Sequence, residues 1–98
     1  MKATRRKGPM HLATVGVGAN QGDRETTIRE AIRWLVAQGG NLLKACSSLY
    51  ETEPFGKTDQ EWFLNCVVQI ETARELLGFF RVLQEGEALF GRIRQERW

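Results

Sequence analysis

Apolar positions in this chain recur with two different periods. Residues 11–18 read HLATVGVG, a short β-branched run closed by glycine, and residues 18–23 are rich in turn formers, so a strand and then a loop are expected. From Arg24 to Gln38 the period lengthens. Ile28, Ala31, Ile32, Leu35 and Val36 fall on one helical face, and Arg24, Glu25, Arg29, Glu30 and Arg33 lie outside it. Asp23 is the expected N-cap and Gly39-Gly40 the stop. Residues 41–52 read as extended, residues 54–60 as a loop with proline, glycine and aspartate, and residues 62–71 as a further strand. Thr72-Ala73-Arg74-Glu75 matches a capping box, which predicts a second helix from about Ala73. Leu76, Leu77, Phe80, Leu83, Glu87 and Phe90 then descend it at helical spacing, and Gly91 ends it.

The order is β-α-β-β-α. A split βαβ sandwich adds one more strand, so the pattern predicts an α+β, ferredoxin-like fold with its last strand missing, an antiparallel sheet and both helices on one face. With 98 residues, 42% of them hydrophobic and 27% charged, the chain fits one ordinary globular domain and excludes a disordered or low-complexity protein. At this length the core is modest, and losing one strand leaves it marginal. No apolar run approaches the roughly 18 residues of a membrane span.

Charge is unevenly spread. Lys2, Arg5, Arg6 and Lys7 hold four of the 14 basic residues, leaving ten against 12 acidic residues in the body. Residues 1–10 therefore read as a disordered basic arm and residues 11–98 as the domain. Four charges are too few for firm nucleic-acid binding at physiological salt. No apolar stretch follows the arm as in a secretory leader, and Cys46 and Cys66 lack metal-ligand spacing. Reduced core thiols in a cytoplasmic protein are expected.

Four stretches, in this order, carry a family resemblance: GVGANQGDR at 16–24, SLYETEP at 48–54, DQEWFLN at 59–65 and GRIRQERW at 91–98. Together they resemble the 6-hydroxymethyl-7,8-dihydropterin pyrophosphokinases of folate biosynthesis, over essentially the whole chain after the arm. The resemblance implies transfer of pyrophosphate from ATP to the hydroxymethyl group of a reduced pterin, with two Mg2+ ions and a ferredoxin-like fold. It implies pterin contacts from Thr52, Glu53, Phe55, Phe63, Asn65 and Trp98. Nucleotide contacts are implied for Gln84, Glu87, Arg94 and Arg97, and catalytic contacts with phosphate for Arg92 and Arg94. These residue types suit the task. Extended backbone offers N–H and C=O groups to a flat heterocycle, and guanidinium forks match phosphate oxygens.

The chain also departs from the family. Ala19 stands where serine is usual, the spacing through Gln95-Glu96 is one residue shorter than in some members, and Gly86 replaces a bulky apolar residue, so a void is expected beneath the second helix. The aspartate-x-aspartate pair that holds magnesium in the family lies beyond the position of Trp98. The 98-residue chain is accordingly expected to be impaired or inactive alone, with an open sheet edge suited to self-association. The alternative is a non-catalytic module that binds pterin, nucleotide or another protein.

Overall fold

The computed structural model of the chain describes residues 10–53 and 61–97, and for Arg92 and residues 94–97 it describes the backbone only. The basic arm up to Pro9, Phe55 and Trp98 lie outside the described residues. The elements are β1 (His11–Ala19), α1 (Arg24–Ala37), β2 (Asn41–Cys46), β3 (Tyr50–Thr52), β4 (Phe63–Thr72), α2 (Leu76–Phe90) and β5 (Arg92–Arg97). The sheet runs β2-β4-β1-β5, with β3 also paired to β4, and every pairing is antiparallel.

This is the expected α+β sheet in ferredoxin-like order, with one correction. The last strand, expected to be missing, is supplied by residues 92–97, which pair with β1 from Gly18↔Arg92 to Thr14↔Arg97. The edge of β1 that was expected to be open is therefore closed. Ile93 explains the pairing: it stands opposite Val17, is 2% exposed, and completes the core at that edge.

Side chains alternate across the sheet, so Ala13, Val15 and Val17 of β1 share a face with Cys66, Val68 and Ile70 of β4. Both helices cover that face. α1 contributes Ile28, Ala31 and Leu35, and α2 contributes Phe79, Val82 and Leu83 to one continuous core. Asp23 caps α1 as expected, its Oδ1 accepting from the Thr26 N–H at 3.2 Å.

α2 differs from its sequence reading in three respects. It starts at Leu76, because the Thr72 hydroxyl accepts from the Arg74 N–H at 3.1 Å within the turn that ends β4 instead of capping a helix. Its buried stripe is Phe79, Val82, Leu83 and Gly86, so Leu76, Leu77, Phe80 and Glu87 face outward. No void lies under Gly86. A Cβ there would meet Ile93 Cδ1 at 2.7 Å and Trp34 Cζ3 at 2.8 Å, so the glycine allows close approach. The single extended segment expected over 41–52 is divided at Ser47, whose N–H donates to the Val67 carbonyl and whose hydroxyl accepts from the Val67 N–H, both at 2.8 Å. Cys66 is buried as expected, whereas Cys46 is exposed; both are free thiols. Among the described residues no helix is long and apolar enough to cross a membrane.

Candidate functional site

The sheet register brings distant stretches of sequence into one row. Tyr50 pairs with Asn65, Asn65 with Gly18, and Gly18 with Arg92, so β3, β4, β1 and β5 each place one residue on a line across the sheet. Two residues along β1 from Gly18, Gly16 pairs with Arg94. Two of the candidate arginines thus sit at register positions beside the glycine-rich end of β1, and Arg97 lies further along, opposite Thr14.

From that row Asn65 reaches Thr52, two residues along β3 from its register partner Tyr50. The Asn65 amide donates through Nδ2 to Thr52 Oγ1 at 2.8 Å and to the Phe63 carbonyl at 3.3 Å. Both interactions engage the nitrogen side of the amide and leave Oδ1 as its acceptor. Oδ1 lies over Gly18, where an added Cβ would be only 2.8 Å away. Glycine at 18 therefore makes the space that Asn65 occupies. Phe63 is half-buried and stands opposite Thr52, while Glu53 is exposed just after β3.

An open cleft of about 560 Å³ adjoins this end of the sheet, between Ala19-Asn20, Thr27 and Glu30 of α1, Phe63, and the Phe90-Gly91 end of α2. That volume lies in the range of small-molecule sites. The Asn20 loop and Phe63 are thereby brought together. Gln84 and Glu87 are not: both are exposed, and Gln84 lines a separate shallow depression with Arg74 and Arg81. Helical spacing lines Glu87 up with Leu83 and Phe90. The buried face of α2 instead passes through Gly86, one residue earlier.

One residue at the site has no role in the sequence analysis beyond closing the first motif. Arg24, the first residue of α1, donates through Nη1 to the Trp62 carbonyl at 2.7 Å, and its Nη2 lies 3.5 Å from Glu51 Oε1. The available signal was a cation in the first turn of a helix, the end that disfavours positive charge. Beside it, bonds from the Thr26 hydroxyl and N–H hold the Asp23 carboxyl below its ordinary range. Among the described residues no three His, Cys, Asp or Glu side chains converge as a metal-holding group. The described residues thus do not form a magnesium site.

Residues 14–98 match the sequence model of the family described as 7,8-dihydro-6-hydroxymethylpterin-pyrophosphokinase. A 2-amino-4-hydroxy-6-hydroxymethyldihydropteridine pyrophosphokinase of Methylorubrum extorquens is 40% identical over 89 residues, covering 91% of this chain and 56% of the relative. The Bacillus subtilis protein of that name is 38% identical over 88 residues, covering 90% of this chain and 53% of its own length. A Mycobacterium tuberculosis relative is 37% identical over 91 residues, which is 91% of this chain and 46% of that protein. The chain spans about half the length of these curated relatives. With its β1 loop, its Thr52–Asn65 pair and residues 91–98 all inside the matched region, the chain belongs to the 7,8-dihydro-6-hydroxymethylpterin-pyrophosphokinase family.

Proposed function

We propose that the chain binds a reduced 6-hydroxymethylpterin and serves the transfer of pyrophosphate from ATP to it, in the cytoplasm. The Asn65–Thr52 hydrogen bond over Gly18, with Phe63 beside it, is the observation that carries this reading. A pterin edge alternates N–H donors with ring acceptors. Asn65 Oδ1 accepts from the donors, the backbone at Thr52 and Glu53 reads the rest of the edge, and Phe63 lies against the ring. Phe55 and Trp98 take the covering roles that the family assigns to them. In the transfer, the pterin hydroxymethyl oxygen bonds to the β-phosphorus of ATP. The bond from that phosphorus to the α–β bridging oxygen breaks, AMP leaves, and the hydroxyl proton passes to solvent. Arg92 and Arg94 neutralise the phosphates, and Arg97 contacts the nucleotide.

Calorimetric titration with 6-hydroxymethyl-7,8-dihydropterin tests the binding. Saturable binding that Asn65→Ala abolishes is the expected result, and no binding by the intact chain overturns the reading. AMP release with ATP, the pterin and magnesium tests the transfer, and binding without release favours a non-catalytic pterin module. Light scattering on the same sample reads out whether the chain self-associates through its sheet edges.

A further inference from the structure

We propose that Arg24 is a positioning residue that clamps the pterin-reading hairpin, β3 and the start of β4, to helix α1; the inference rests on the pterin reading above. The hairpin needs such a tie. β3 has three residues, all exposed, and pairs with β4 through Tyr50↔Asn65, Glu51↔Leu64 and Thr52↔Phe63. So short an edge strand buries almost nothing of its own, and little in its packing fixes Thr52 against Asn65.

Arg24 reaches both sides of it. Nη1 donates to the Trp62 carbonyl at 2.7 Å and Nη2 faces Glu51 at 3.5 Å, so one planar fork spans the pair of strands. The two clamped residues immediately precede Phe63 and Thr52, the register pair that adjoins Asn65. The clamp has a firm base, because α1 is anchored in the core by Ile28, Ala31 and Leu35. The Arg24 side chain is 26% exposed against 52% for Glu51, so the guanidinium is the better shielded member of the ion pair. Position 24 is also an unfavourable place for a cation as far as the helix is concerned, since the first turn carries the positive end of the dipole. What the arginine does for the hairpin accounts for its place there.

Calorimetry on the full chain and three variants, R24M, R24K and E51Q, tests the clamp when combined with amide hydrogen exchange on the free proteins. R24M is expected to weaken binding of the reduced pterin about tenfold, the scale of one charge-assisted hydrogen bond, and to leave ATP binding within about twofold. Exchange should quicken only at Tyr50–Thr52 and the first residues of β4. R24K should fall between R24M and the parent, because an ammonium meets one partner at a time. E51Q should resemble R24K. Pterin binding by R24M within about twofold of the parent overturns the proposal, as does faster exchange throughout the chain, which marks general destabilisation. If the parent chain binds no pterin but R24M still loosens only the hairpin, the substrate reading falls and the clamp stands.

Discussion

Gly18 has no positive φ, in contrast to Gly22, Gly40 and Gly91, so its missing side chain matters for space alone. The space is that taken by Asn65 Oδ1, 2.8 Å from where a Cβ would stand. Gly18→Ala should therefore displace Asn65 from Thr52 and weaken pterin binding about tenfold, with a melting temperature that stays close to the parent's. Calorimetry and a thermal melt check both halves, and unchanged affinity would sink the idea. Cys66 gives a residue-scale prediction of another kind. Burial first, and then the neighbouring Cys46 thiol, push its pKa up to about 11. In the unfolded chain a thiol ionises near about 8.5, so the folded state holds the proton longer. Stability from this source is complete below that value and is lost as pH rises towards 11. Thermal melts between pH 7 and 11 should fall more steeply for the parent than for Cys66→Val, and parallel profiles would refute this. Asp23 has the opposite sign: its lowered pKa contributes stability at neutral pH that is lost on acidification through the carboxylate range.

At the scale of elements, α1 and α2 differ in how far their patterns determine them. α1 has one apolar stripe and a charged remainder, and its burial follows the pattern at Ile28, Ala31 and Leu35. α2 carries apolar residues at 76, 77, 79, 80, 82 and 83, nearly all round its first two turns, so helical periodicity alone allows several faces. Packing selects the face that contains Gly86. There the helix comes close enough for Trp34 and Ile93 to fill the space a side chain would need, and Trp34 also meets Phe90 at 5.9 Å between ring centres. The two interior glycines of α2 should consequently respond in opposite directions to alanine. Gly78 has nothing within 4 Å of its added Cβ, so Gly78→Ala should stabilise by about 0.5–1 kcal/mol through helix propensity. Gly86→Ala gains the same propensity but must displace a tryptophan ring and a buried isoleucine, for a net loss of about 1–2 kcal/mol. Urea denaturation of the two variants decides the point, and equal shifts would contradict this account of α2.

Across the whole molecule, β5 closes the fold. It covers the edge of β1 and inserts Ile93 beside Val17. Ile93→Ala should cost about 2–5 kcal/mol in urea denaturation, and a chain ending at Gly91 should lose its cooperative transition. A cooperative transition in that shortened chain would show that β5 is dispensable. The local pattern of the chain determined β1, α1 with its Asp23 cap, the extended segments now seen as β2 to β4, and the motifs that carry the family. These depend on residues close in sequence, whose periodicity and turn chemistry act before any distant contact forms. The tertiary structure decided the rest. It turned residues 92–97 into a strand, rotated α2 onto its Gly86 face, and brought Asn65, Thr52, Gly18 and the Arg24 clamp together. Periodicity tells which residues share a face of one element, but the partner that closes that face is chosen by fit between elements far apart in the chain.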